Sequence, residues 1–256
     1  MAVSRLHDLN KTMADSSADD AKLEREVKPI KANLEKLREA AKQLEIFHGD
    51  YIASNSKKKK AQVDQKNEEI AKLTEETKSM IERMTAETDR LRTTQQANEA
   101  ELKVRCNVTI SLSESLMDVT KSIQGMQEKH GDDKTSQVAR RVKVRFTDKE
   151  GQQHISEKDA KQMAQQLLNA NKQDSIFLQA RAELEDALAQ RDEVLELERS
   201  VIELHDMIKD LHRLVTMQHE QLELIAESAE KAETRTRKAV GDLEKAKKAQ
   251  KSCVVS

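Results

Sequence analysis

RLVTMQHEQLELI, residues 213–225, steps through apolar side chains at helical spacing: Val215, Leu222 and Ile225 lie on one line, and Gln218 stands on that line between them. Steps of three and four in both directions extend the line to Val194, Leu197, Val201, Leu204, Ile208, Leu211, Val215, Gln218, Leu222, Ile225, Ala229, Ala232, Thr236, Ala239, Leu243 and Ala246. Only Gln218 and Thr236 are not apolar. A seam kept over about seven heptads predicts a left-handed coiled coil roughly 80 Å long. One helix cannot hide such a stripe by itself, so partner helices are required. The alanines of the second half let backbones approach closely without fixing the number of strands.

Composition agrees with long helices. Among 256 residues, 36% are charged, 2% are aromatic, five are glycine and one is proline, and the net charge is −2. So few aromatics leave little material for a sheet-built core, and burial must come from narrow aliphatic stripes on packed helices. The fold class expected is all-α. Positive and negative residues alternate along helix faces, which argues against a nucleic-acid partner. Two cysteines, Cys106 and Cys253, imply no disulfide framework and fit a reducing compartment. No signal-peptide core and no apolar run of spanning length occurs, so the expectation is a cytoplasmic chain. The triplets Asn10-Lys11-Thr12 and Asn107-Val108-Thr109 are then chance matches to a glycosylation acceptor.

Residues 1–19 are polar and read as disordered. A helical stripe runs over about 20–54 through Leu23, Val27, Ile30, Leu34, Leu37, Ala41 and Leu44, with Pro29 in a first turn or at a kink. Asn55-Ser56 reads as a turn and N-cap. A second helix over about 57–95 carries Val63, Ile70, Leu73, Met80, Ile81, Met84 and Leu91. A third over about 97–142 carries Leu102, Val104, Ile110, Leu112, Leu116, Val119, Ile123 and Met126, with Gly125 and Gly131 as points where it could fray or bend. Three antiparallel helices can close a core that none builds alone. Val142 to Phe146 alternates like a strand but has no partner strand, so it reads as helix end or linker. A short helix follows over 156–172, and Asp174-Ser175 offers an N-cap for the last, longest one. The domain reading is 1–19 disordered, 20–146 a three-helix bundle, 147–184 a linker with a short helix, 185–250 the coiled-coil motif and 251–256 a tail.

SVIELHDMIKDLHRLVTMQHEQLELI, residues 200–225, resembles the SNARE motif of syntaxins, the Qa class, with ELHDM preceding a central glutamine. The order of three-helix region, linker and long helix is similar to that family's. The resemblance implies that Gln218 is the central-layer residue and that the other seam positions are core layers of a parallel four-helix bundle with Qb and Qc (or Qbc) and R-SNARE partners. It further implies vesicle docking and fusion in intracellular transport, including exocytosis, control by an Habc-like N-terminal bundle, an SM-family partner, and a SNARE-disassembly adaptor with its ATPase. SRLHDL, residues 4–9, is similar to the short peptide by which some syntaxins bind an SM protein, although key family residues are missing.

A buried amide is costly unless paired, and a glutamine offers both a carbonyl and an amino group, so an arginine from a partner helix could satisfy it in a water-poor core. Slipping the register by one heptad would place that arginine among aliphatic side chains. The polar layer thus trades stability for register and partner choice. Without the family context Gln218 reads as a tolerated polar residue in a self-associating coil, and the alternative functions are a coiled-coil scaffold or an inhibitory SNARE that does not drive fusion.

Syntaxins usually end in a transmembrane helix, and this sequence departs from them. Its last residues, Cys253-Val254-Val255-Ser256, fit a prenylation box with a farnesyl-type ending. Lys245, Lys247, Lys248 and Lys251 lie just upstream. One lipid chain holds a membrane marginally, and each lysine near an anionic leaflet adds about 1 kcal/mol, so together they make a two-signal peripheral anchor on the cytosolic face of the plasma membrane or an endomembrane. His205, His212 and His219 repeat every seven residues, too far apart to share a metal within one helix, and read as an exposed flank. Lys57 to Lys60 reads as a solvated run and Cys106 as packed rather than reactive. The sequence has no glycine-rich phosphate loop, no metal-ligand spacing and no nucleophile with a placed base. No enzymatic activity, metal or cofactor is expected.

Overall fold

The computed structural model describes the backbone of residues 2–54, 56–145, 156–169 and 185–254, and side chains within 21–54, 56–140, 143, 156–166 and 193–246. Every described element is an α-helix: α1 (Ala2–Ser54), α2 (Lys57–Thr93), α3 (Glu99–Arg145), α4 (Glu157–Asn169) and α5 (Glu185–Val254). The chain is all-α among the described residues, with three N-terminal helices, a short helix and one long C-terminal helix.

Local chemistry sets the helix ends. The Ser56 carbonyl accepts the Lys60 N–H at 3.0 Å, as the residue before a first helical turn does, while Asn55 lies outside the described residues. At the end of α2 the Gln96 N–H reaches back to the Leu91 carbonyl at 3.0 Å and the Gln95 N–H to that of Arg92 at 3.2 Å. Gln95 takes φ 53°. This is the Schellman arrangement with a left-handed residue after the helix, and it stops α2 at Thr93, two residues before the periodicity does. Asn98 then caps α3, its Oδ1 accepting the Glu101 N–H at 2.9 Å. Ser156 caps α4 in the same way, accepting the Asp159 N–H at 3.1 Å while its hydroxyl donates to the Asp159 carboxylate at 2.7 Å. Asp174-Ser175, expected as the cap of the last helix, lies outside the described residues.

Several expectations are revised. The α1 backbone is helical from Ala2, including residues 2–19, which read from sequence as disordered. Pro29 sits inside α1 on an exposed face, so the helix runs past it. α3 continues through Gly125 and Gly131 to Arg145, so that most of the strand-like stretch is helix end, in keeping with the sequence reading. Val104, placed in the α3 stripe by sequence, is half exposed, whereas Leu102, Cys106 and Ile110 are buried. Those three recur every four residues and define the inward face, from which Val104 is turned away.

The long helices each contribute to two compact units. Unit 1 consists of Met1–Lys31, Lys78–Glu114 and Leu211–Ser256, and unit 2 of Ala32–Thr77 and Ser115–Asp210. Within unit 1 the buried aliphatics are Ile30 of α1, Ile81, Met84 and Leu91 of α2, Leu102, Ile110 and Leu112 of α3, and Leu211, Val215 and Ile225 of α5. Within unit 2 they include Leu34, Leu37 and Leu44 of α1, Val63 and Ile70 of α2, Leu116, Ile123 and Val138 of α3, and Val194, Leu197 and Leu204 of α5, with Ala160 and Ala164 from α4. Buried threonines sit among them without stranded hydroxyls. Thr74, Thr77, Thr85 and Thr88 each donate to the carbonyl four residues earlier, at 2.6–3.1 Å.

Leu116 has no exposed surface. Leu116→Ala should lower the unfolding free energy by about 2–5 kcal/mol, measured by urea denaturation followed at 222 nm.

Candidate functional site

The α5 seam is covered along part of its length. Val194, Leu197, Leu204, Leu211, Val215, Gln218 and Ile225 are buried, and Val201, Ile208, Leu222 and Ala229 are partly buried. Ala232, Thr236, Ala239, Leu243 and Ala246 are exposed, Leu243 by 70%. In unit 1 the covering residues are Leu91 of α2 and Leu102 and Cys106 of α3, which cluster with Ile225, while Leu222 packs at the edge with Ala97.

Gln218, with no exposed surface, lies on this covered part. Its Nε2 donates to Gln221 Oε1 at 3.1 Å, and Gln221 Nε2 donates to Asp89 Oδ1 of α2 at 2.6 Å. The same Asp89 oxygen accepts from Arg92 Nη2 at 3.3 Å. Cys106 Sγ lies 3.9 Å from Gln221 Oε1. Burial first, and the Asp89 carboxylate second, push the Cys106 thiol up from its ordinary range, so it is held as an unreactive thiol. Gln218 Oε1 is buried and has no hydrogen-bond partner.

A second polar cluster lies in unit 2 around Glu193, beside the seam residue Val194. All three N-terminal helices reach its carboxylate, α1 and α3 with hydrogen bonds and α2 with an ion pair. The Tyr51 hydroxyl of α1 is 2.8 Å from both oxygens, Lys134 Nζ of α3 is 3.0 Å from Oε2, and Lys60 Nζ of α2 is 3.5 Å from Oε1. Lys134 Nζ also stands 3.7 Å over the centre of the Tyr51 ring. Next to it, His48 and His130 stack face to face with ring centres 3.8 Å apart. Both imidazoles are buried, and neither His48 Nε2 nor His130 Nδ1 meets a partner.

Residues 185–254, the bounds of α5, match the family model described as "SNARE domain". The long helix is a SNARE domain. A SNARE role in membrane trafficking follows for the chain. The fold is similar to that of a chain in the crystal structure of the Unc18–syntaxin 1 complex from Monosiga brevicollis, with a TM-score of 0.60 and 22% identity, covering 88% of this chain and 97% of that one. A comparison with curated protein sequences finds no match. Among the described residues no helix is long and apolar enough to cross a membrane.

The residues read from sequence separate into groups. Gln218 and the seam from Val194 to Ile225 face the N-terminal helices, whereas the SNARE helix from Ala232 to Ala246 has its seam in water. His205, His212 and His219 are exposed. Lys245 is exposed and pairs with Asp242 at 3.5 Å, and the side chains of Lys247, Lys248, Lys251 and Cys253 lie outside those described. The lysine run is partly committed: besides Lys60, Lys59 pairs with Asp50 at 2.6 Å. Sequence reading missed Asp89, Gln221, Glu193, Tyr51, Lys134 and the histidine pair. The one available signal was that the sole tyrosine and two of the seven histidines fall on the inner lines of α1 and α3.

The histidines make the structure sensitive to acid. Desolvation, then His130 and Lys134, lower His48 from 6.5 to about 3, and desolvation, then Lys134, lower His130 to about 4. The folded chain therefore binds fewer protons than the unfolded chain below pH 6.5. Stability present at neutral pH is lost as pH falls from 6.5 towards 4, by roughly 2 kcal/mol for each imidazole at pH 5. Urea midpoints should drop between pH 7.5 and pH 5, and the His48→Leu, His130→Leu double variant should remove most of that drop.

Proposed function

We propose that this chain is a Qa-type SNARE, whose long helix joins Qb, Qc (or Qbc) and R-SNARE helices in a parallel four-helix bundle that docks and fuses vesicles, and whose N-terminal helices regulate that step. The observation that carries the reading is Gln218. It is the one polar side chain on the covered seam, it is fully buried, and its carbonyl lacks a donor. A partner guanidinium is the group that best supplies one, having several N–H donors in a rigid fork and a permanent charge. The remaining layers are the seam residues from Val194 to Ala246. Those from Val194 to Ile225 must leave the N-terminal helices before they can meet partner helices, so unit 1 and unit 2 each hold the motif in a closed, inactive arrangement.

In this reading residues 20–146 are the regulatory bundle, 147–184 the linker, 185–250 the assembling motif and 251–256 the lipid-bearing tail, with 1–19 as a polar lead. An SM-family protein would recognise the closed form, and a disassembly adaptor with its ATPase would recycle the bundle. Cys253-Val254-Val255-Ser256 fits a prenylation box, so in this reading Cys253 is the farnesyl acceptor of a protein that ends at Ser256, and Lys245, Lys247, Lys248 and Lys251 would add attraction to an anionic leaflet, for peripheral attachment to the cytosolic face of a membrane.

The assembly reading is tested by mixing residues 185–254 with a panel of SNARE helices and following helicity and SDS-resistant complex. Helix should form only when an arginine-bearing partner is present, and Gln218→Leu should relax that requirement. Helix formation by the segment alone, as a homodimer, would replace the reading with a coiled-coil scaffold. For the anchor, cells expressing the chain and fed an alkynyl farnesol should label it, and Cys253→Ser should abolish the label and shift the protein from membrane to soluble fractions.

A further inference from the structure

The hydrogen bonds around Gln218 have a direction, and Asp89 sets it. A carboxylate only accepts, so the Gln221 amide must turn its Nε2 towards Asp89, at 2.6 Å. Its Oε1 is then left facing Gln218, which must present Nε2, at 3.1 Å. Arg92 Nη2, 3.3 Å from the same Asp89 oxygen, helps to hold the carboxylate in place. The orientation of two amides on α5 is thus dictated by one charge on α2. That leaves the Gln218 carbonyl buried and without a donor.

The surroundings make this arrangement selective for register. One heptad along the helix from Gln218 lies Ile225, packed with Leu91, Leu102 and Cys106. One heptad before it lies Leu211, also buried. Sliding α5 by seven residues would carry the Gln218 amide to the buried place of Ile225 or of Leu211, and in the first direction would set Leu214 in place of Gln221 against Asp89. Both strand a buried polar group, the error that polar residues in helical seams exclude.

We propose that Asp89 and Gln221 form a polar latch that grips Gln218 and fixes the register of the SNARE helix against α2 and α3 in unit 1. The proposal rests on the SNARE reading of α5 for its biological meaning but not for its test. The latch uses the amino half of the Gln218 amide and leaves the carbonyl half free, whereas an arginine-bearing partner helix would use the carbonyl. The same side chain therefore specifies register in two competing assemblies through opposite ends of its amide. Gln221 is the residue that makes the first of them specific, because it converts the Asp89 charge into a donor-seeking carbonyl inside the helix interface.

Cys106 reports on the latch. It has no exposed surface and contacts Gln221, so lifting this part of the helix away exposes its thiol. In the full chain carrying Cys253→Ser it is the sole cysteine, and its rate of reaction with a maleimide under native conditions measures opening. Gln221→Glu sets two carboxylates against each other and should raise the rate about tenfold or more, since a charge-assisted hydrogen bond is replaced by repulsion. Adding Asp89→Asn rebuilds the contact with reversed polarity: the new amide on α2 donates to the new carboxylate on α5, which still accepts from Gln218. This double variant should return to within about threefold of the parent rate. Urea denaturation of each protein checks that the single variant remains folded at the labelling conditions. A parent-like rate for Gln221→Glu, or a double variant as fast as the single, would overturn the latch. Neither result bears on assembly of residues 185–254 with partner helices, because that segment lacks Asp89.

Discussion

A helix with one apolar face has to cover it, and almost everything in this chain follows from how α5 does so. From Val194 to Ile225 the covering is supplied by its own N-terminal helices in each of two compact units. Had those helices been absent, the same stripe would have to find other helices in solution. On the proposed function, folding on itself and joining partners would draw on the same side chains. The aliphatic layers favour neither outcome strongly, since Leu, Ile and Val pack against any suitably spaced ridge. The polar contacts distinguish them. Glu193 is met by donors from α1 and α3 and by an ammonium group of α2, and Gln218 is reached from Asp89 through Gln221. Each of these contacts is satisfied in part or whole by groups that belong only to this chain.

Charge is handled differently at the two sites. Around Glu193 the carboxylate is met by a phenol and two ammonium groups, and the Tyr51 ring lies under one of them, so the ion enters the helix interface with its hydrogen-bonding capacity largely used. Around Gln218 the charged partner, Asp89, stays partly in solvent and acts through a neutral amide. A neutral relay avoids desolvating an ion in the middle of the seam while still conveying its preference for donors. The stacked imidazoles of His48 and His130 follow the same economy, since they fill space as uncharged rings beside Lys134 and would repel it and each other if both took up protons.

The seam and its glutamine were legible in the sequence because period and register are local properties: sixteen positions at three- and four-residue spacing leave little freedom. The N-terminal helices were legible for the same reason, and their bounds moved by only a few residues where caps decided them, as at Thr93 and Asn98. Val104 was misplaced because a stripe drawn loosely through α3 admits a residue that the closer spacing of Leu102, Cys106 and Ile110 excludes. Gln221, Asp89 and Glu193 could not be found that way. Each lies off the seam and reads as a solvated flank, and each acquires its role from a neighbour many residues away in sequence. The buried threonines of α2 were hidden by a subtler effect. Their hydroxyls bond to their own helix, so residues that look polar in sequence behave as small aliphatic ones in the core.

The far end of the SNARE helix carries its seam in water, and its sequence suits that condition. Ala232, Ala239 and Ala246 expose little more than a methyl group each, and Thr236 is at home in either environment. Such a face offers little apolar area to water, with Leu243 as its main greasy point. A stripe of leucines there would draw molecules together indiscriminately and ask for a cap of its own. Built from alanine, the segment can stay bare without becoming sticky, and its attraction for other helices depends on close geometric fit rather than on the amount of oil it displays.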